Sequence, residues 1–267
     1  MDDDKDNDEA IDQFNSSLVY KSDNITHEPT FGILFDIDGV LARGSTPLQC
    51  AIDMFNEVKT ADGEPTVPMA FLTNACHLSD TKALMIQKWF GIKKITGHPL
   101  NYTAIIGKPS EITFRFAEHT ISLVAKRMGI QSPIKSLYFF GDNPAVDILG
   151  ANLYNNYLKR FRRMSGGKEI TKEERQKLRV QASMSASRVV PEEAEFLPQT
   201  AKQIDSILVH TGVYKPDKDH KQKQNQPNYC HRDFTRASEL DNPMIDVEDC
   251  YEGMQAIFRT ENFIPKK

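Results

Sequence analysis

Four short apolar runs, separated by segments of helical periodicity, constrain this chain more than any other feature. They are "FGILFDI" (31–37), "VPMAFLTN" (67–74), "SLYFFGD" (136–142) and "SILVHTGVY" (206–214). Each is rich in β-branched or aromatic residues and ends in a polar or glycine-containing turn, so each reads as a buried strand. Helical patterns lie between them. "TPLQCAIDMFNEVKT" opens with Thr46 as cap and Pro47 at the first helical position. "SDTKALMIQKWFGI" opens at Ser79 and stops at Gly91. "PSEITFRFAEHTISLVAKRMGI" spaces Ile112, Phe116, Leu123 and Val124 along one face and ends at Gly129. The alternation predicts an α/β fold: a Rossmann-like parallel sheet with right-handed crossovers and helices on both faces. In such a sheet the ligand sits at the carboxyl ends of the strands.

Composition sets the remaining bounds. The 267 residues suit one large or two small domains, since domains run to about 100–200 residues. A net charge of −4 gives no basic field, so no nucleic-acid partner is expected. No apolar run approaches the ~18 residues of a transmembrane segment. Residues 1–29, rich in Asp, Ser and Asn, predict a disordered acidic segment. Residues 30–267 then form a single core domain with polar excursions at about 159–203 and 215–243. The start, "MDDDKDNDEAIDQFNSS", lacks the apolar core of a secretory signal and is too acidic for an Arg-rich mitochondrial presequence. Cys50, Cys76, Cys230 and Cys250 form no C-x-x-C pair, which fits a reducing, intracellular compartment.

The chemistry-bearing residues fall at the strand ends or just after them. Asp36 and Asp38 follow the first run and share a side if the chain stays extended, and Gly39 allows a sharp turn after them. The pair reads as a carboxylate nucleophile with a second carboxyl as acid and base, or else as a solvated acidic turn. After the second run, the Thr73 hydroxyl and Asn74 amide can donate to a phosphoryl oxygen, or simply build a turn. In Gly107-Lys108-Pro109-Ser110 a lysine precedes a helix start, where the helix N-terminus favours an anion. After the third run, Asp142 can supply an oxygen ligand to a hard cation such as Mg²⁺, and Asp147 can hold that site in shape. A capped helix start would use the same residues.

The order of these elements (D-x-D-G, strand-end Thr-Asn, G-K-P, G-D-x-x-x-x-D) resembles the haloacid dehalogenase superfamily of aspartate-nucleophile phosphohydrolases. "FDIDGVL", "IIGKPSEIT", "GDNPAVDILGANL", "SILVHTGVY" and "DVEDCYEGMQAIF" are similar to the cat eye syndrome critical region protein 5 branch of its class IIA, over 31–158 and 204–263. The resemblance implies a capless haloacid dehalogenase-like core. It implies that Asp36 attacks phosphorus and ligates Mg²⁺, and that Asp38 ligates through its backbone carbonyl and acts as general acid and base. It also implies that Thr73 and Lys108 hold the phosphoryl group, and that Asp142 ligates the metal with support from Asp147 and Asn143. Proteins of this branch are usually mitochondrial, with links to glycerophospholipid metabolism.

One part of the class IIA pattern is missing. Its large α/β cap lies between the Thr-Asn and lysine motifs, but here Asn74 and Lys108 are only 34 positions apart. The gap holds one helix and a short stretch, and no domain. The expectation is an open site that takes a bulky phosphomonoester, or a homo-oligomer in which a neighbouring subunit serves as lid. The alternative is a non-catalytic hydrolase-like scaffold or an inactive capless variant.

Overall fold

A computed structural model describes residues 27–74, 107–166, 199–216 and 239–265. Its centre is a five-stranded, fully parallel sheet in the order β4–β1–β5–β6–β7. The strands are β1 (Phe31–Phe35), β4 (Met69–Phe71), β5 (Ser136–Gly141), β6 (Gln203–Val209) and β7 (Ile245–Val247). The four expected strands are present. β7 was not anticipated, because a three-residue edge strand carries too little pattern to read.

Alternation along the strands splits the core into two layers. Phe31, Ile33 and Phe35 of β1 pack with Tyr138 and Phe140 of β5 on one face. That face is covered by α1 (Gln49–Val58) and α4 (Cys250–Glu261). Leu34, Leu137 and Phe139 point the other way, toward α2 (Glu111–Arg127) and α3 (Leu149–Ser165). Phe35 registers between Phe71 and Phe140, and its ring stacks on theirs with centroids 6.1 and 4.9 Å away. Each large side chain buried this way contributes on the order of 1.5–3 kcal/mol. From β1 the chain winds outward to β4 on one side, and β5 to β7 lie on the other. The switch point lies between β1 and β5, and their carboxyl ends frame a crevice.

Two local expectations change. Thr46 and Pro47 do not start α1. They form β3 (Thr46–Pro47), paired antiparallel with β2 (Ala42–Arg43) in a small hairpin that turns at Gly44. Leu48 is the N-cap residue of α1, and its backbone N–H donates to Leu41 O. A Thr-Pro pair suits a hairpin strand and a helix start equally, and the cross-strand pairing decides. In α2 the buried face is Glu111, Phe114, Ala117, Glu118, Ile121, Val124 and Ala125, while Phe116 is exposed. An apolar stripe through Phe116 would have required Glu118 to face water. Instead Glu118 is buried against α3.

Glu118 has partners for that burial. Its carboxylate accepts hydrogen bonds from the Tyr154 hydroxyl, Gln199 Nε2, Thr200 N and Ala201 N. It fastens the segment entering β6 to the α2–α3 layer. Of the excursion expected at about 159–203, α3 continues to Ser165 and β6 begins at Gln203, and residues 167–198 lie outside the described residues. Of the excursion at 215–243, residues 217–238 lie outside as well, as do residues 1–26 and the helix expected at about 79–90. Among the described residues no helix is long and apolar enough to cross a membrane.

Replacing Glu118 with Ala leaves two backbone N–H groups and a buried tyrosine hydroxyl without their acceptor. The expected loss is about 2–4 kcal/mol of unfolding free energy, read from the urea midpoint. Glu118→Gln, which keeps acceptor oxygen, should lose less. Equal midpoints for wild type and Glu118→Ala would show that this network contributes nothing.

Candidate active site

β1 and β5 bring the first acids together. Asp36 N donates to Phe140 O (2.9 Å), so the parallel ladder carries one residue beyond β1. This sets Asp36 beside Asp142, the first residue after β5. Asp147 follows in a π-helical turn, Pro144–Ile148, capped by Asn143, whose side chain accepts from Ala145 N. The turn folds Asp147 back, and its Oδ2 accepts from the backbone N–H of Asp142 and of Asn143 at 3.2 and 3.1 Å. One carboxylate oxygen each from Asp36, Asp142 and Asp147 lie within 4.8 Å of one another, and all three residues are buried.

Lys108 counters this negative charge. Its Nζ lies 2.7 Å from Asp36 Oδ1 and 2.7 Å from Asp147 Oδ1, and the lysine is only 3% exposed. The Asp147 contact is a charge contact rather than a well-aligned hydrogen bond. Burial, the largest single influence, works against the ammonium charge, but the two carboxylates outweigh it and hold the Lys108 pKa above its ordinary value. Burial pushes Asp36 up to about 7; Lys108 opposes this and Asp147 adds to it. Asp142 rises to about 6, again chiefly through burial, opposed by the backbone N–H of Val213.

The remaining expected residues surround this centre. Asn74 clamps the backbone of Lys108: its Oδ1 accepts from Lys108 N at 2.9 Å and its Nδ2 donates to Lys108 O at 3.2 Å. The amide expected on the phosphate thus makes contacts that place the lysine. Thr73, half-buried, precedes it at the end of the β4 segment. Asp36 and Asp38 do not share an environment. The chain leaves the strand after Phe35, so Asp36 is buried, whereas Asp38 enters the hairpin and exposes its side chain on the rim.

The sequence reading missed the loop after β6. Val213 N donates to Asp142 Oδ2 at 2.6 Å, and Tyr214 N donates to Asp142 O at 3.1 Å. Thr211 Oγ1 donates to Gly39 O at 2.5 Å, and Arg43 donates from Nε and Nη2 to Thr211 O at 2.8 and 2.6 Å. Gly39 (φ +86°) and Gly212 lie so close to Asp142 that a Cβ on either would collide with its carboxylate. The only signal was "HTG" directly after a buried run; the contact itself depends on β6 lying beside β5.

The donor set fits a hard divalent cation. Three buried carboxylates converge with a single lysine among them, and two of these acids are pushed toward protonation. A cation bound by oxygen ligands would relieve that repulsion. Without metal, the folded chain retains protons on Asp36 and Asp142 that the unfolded chain releases near 3.8. The folded state then binds more protons between about pH 4 and 7, so its stability falls as pH rises through that window. Asp36→Asn should flatten this fall and leave the metal-free thermal midpoint at pH 8 equal to wild type or higher. A clearly lower midpoint would make Asp36 a structural residue.

Residues 33–99 match the family model described as haloacid dehalogenase-like hydrolase. A second likeness is to the cardiolipin synthase (CMP-forming) / mitochondrial hydrolase fusion protein of Schizosaccharomyces pombe (strain 972 / ATCC 24843). It is 40% identical over 62 residues, which make up 23% of this chain and 10% of that protein. The chain thus spans a small part of that relative's length. The family match starts within β1 and takes in Asp36, Asp38 and Thr73, whereas Lys108, Asp142 and Asp147 lie beyond it. Over residues 33–99 the chain is similar to the haloacid dehalogenase-like hydrolases.

Proposed function

We propose that the protein is a Mg²⁺-dependent phosphohydrolase in which Asp36 attacks phosphorus and forms an aspartyl-phosphate. The observation that carries this reading is the ion pair between buried Asp36 and Lys108 at the carboxyl end of β1. Lys108 keeps a positive charge beside the attacking oxygen, favours its ionised form and offers charge to the phosphoryl group. Thr73, next to the Asn74 clamp on Lys108, supplies a hydroxyl for the same group. Asp38, on the exposed rim, protonates the leaving oxygen and later takes a proton from water. Asp36, the backbone carbonyl of Asp38 and Asp142 would hold Mg²⁺, with Asp147 and Asn143 keeping the loop in place. When bound, the ion neutralises charge on the phosphoryl oxygens.

The substrate reading is a bulky phosphomonoester, with a phospholipid-related compound in a mitochondrial setting as its specific form. The 34-position spacing between Asn74 and Lys108 supports a capless site, although residues 75–106 lie outside the described residues. The Schizosaccharomyces pombe relative, named as a fusion of a cardiolipin synthase and a mitochondrial hydrolase, supports the lipid setting. An open site also leaves room for a second subunit as roof.

Hydrolysis of an aryl phosphate tests the proposal. Turnover should require Mg²⁺ and fall at least about 10³-fold in Asp36→Asn, roughly 4 kcal/mol of transition-state stabilisation. A folded wild type with no turnover on aryl or lipid phosphates would favour the scaffold reading. An uncapped site also grips little beyond the phosphoryl group. Values of kcat/KM for unrelated small phosphates should therefore lie within about two orders of magnitude. A preference of about 10⁴-fold or more for one of them, in a monomer, would contradict the open site.

A further inference from the structure

Cys50 and Cys250 are 200 positions apart in the chain, yet their sulfurs lie 3.9 Å apart. Cys50 is the second residue of α1 and Cys250 the first of α4, the two helices that cover one face of the sheet. Neither belongs to the acid–lysine centre, and nothing proposed above uses them. From this geometry we infer that Cys50 and Cys250 are an oxidisable dithiol, a modification site that a hydroperoxide converts to a disulfide.

The two thiols are unequal in a way that divides the work. Cys50 is half-buried and can be reached from solvent, while Cys250 is buried behind it. The Cys250 S–H donates to the Cys50 sulfur. That bond favours a thiolate at Cys50, and both residues sit in the first turn of a helix, where free backbone N–H groups favour an anion. The Cys50 thiol is held below its ordinary value chiefly by this hydrogen bond, against burial and the Asp249 charge. Cys250 is pushed well up by the same bond and by burial. A disulfide needs its sulfurs about 2.05 Å apart, so the 3.9 Å gap has to close by rotation of the two side chains.

The chemistry balances with the hydroperoxide as oxidant. The Cys50 thiolate attacks one peroxide oxygen; an S–O bond forms, the O–O bond breaks, and the departing oxygen takes a proton from solvent. The Cys250 sulfur then attacks the Cys50 sulfenic acid. The S–S bond forms, the S–O bond breaks, and hydroxide leaves with the Cys250 proton as water. Two thiols have lost two electrons, and the hydroperoxide has become one alcohol (or water) and one water. The bond would tie the start of α1, directly after the hairpin, to the start of α4. Gln255 Nε2 already donates to Glu57 Oε2 at 2.6 Å further along the same two helices.

The test treats the reduced, full-length protein with hydrogen peroxide and maps its peptides without reduction. Peptides carrying Cys50 and Cys250 should appear cross-linked. The thermal midpoint should rise by about 5 °C or more, because closing a long loop restricts the unfolded chain, and dithiothreitol should reverse both changes. Cys50→Ser and Cys250→Ser should each abolish the cross-link and the shift. The peptide map of the unmutated chain decides the question without either variant. Cys50 oxidised to sulfinic acid with no link, Cys50 linked to Cys76 or Cys230 instead, or no reaction at either thiol would overturn the inference. The outcome is independent of whether the protein hydrolyses phosphates.

Discussion

The contacts of Lys108 with Asp36 and Asp147 are the constraint on which the rest of the site depends. Three buried carboxylates cannot all be ionised side by side in a water-poor crevice, because desolvation and mutual repulsion both favour protonation. One buried ammonium between two of them offsets part of that cost. It also joins three separate chain segments, the end of β1, the approach to α2 and the turn after β5. The Lys108 ammonium also lies over the Phe139 ring, with Nζ 5.4 Å from its centre. Removing the lysine would leave uncompensated buried charge, which costs more than the ion pair itself contributes.

A shell of backbone-directed contacts holds this charge pattern in place. Asn74 grips both polar backbone atoms of Lys108. Asp147 takes two backbone N–H groups of its own loop. The loop after β6 closes on Asp142, and Thr211 and Arg43 tie that loop to the hairpin beyond Asp38. The Val213–Asp142 contact spans the carboxyl ends of β5 and β6, so the sheet order is what brings those two partners into reach. The two glycines beside Asp142 complete the arrangement, since a side chain on Gly39 or Gly212 would occupy the space of its carboxylate.

The central strands were legible because strands buried on both faces read as unbroken apolar runs, as in β1 and β5. The strand-end acids and the lysine were legible because position after a buried run is itself a signal in a parallel sheet. Other features depend on tertiary neighbours that no local pattern encodes. The hairpin at 42–47 replaced a helix start because its two short strands pair with each other. The buried face of α2 passes through Glu118 because Tyr154, Gln199 and two backbone amides gather around it. Asn74 contacts Lys108, and the Cys50–Cys250 approach joins residues 200 positions apart in the chain. The side chains of Asp36 and Asp38 diverge because the strand ends one residue before the first of them.

The account turns on a covalent bond between Asp36 and phosphorus, and that bond can be sought directly. A phosphomonoester is mixed with the enzyme and Mg²⁺, quenched in acid within the first turnover, and treated with borohydride, which reduces an acyl phosphate but not a free carboxylate. Peptide mass spectrometry then reads position 36. The account predicts homoserine there, in proportion to the phosphoenzyme trapped, and no reduction at Asp38, Asp142 or Asp147. Turnover with all four aspartates unreduced at every quench time, or reduction at one of the other three, would contradict it.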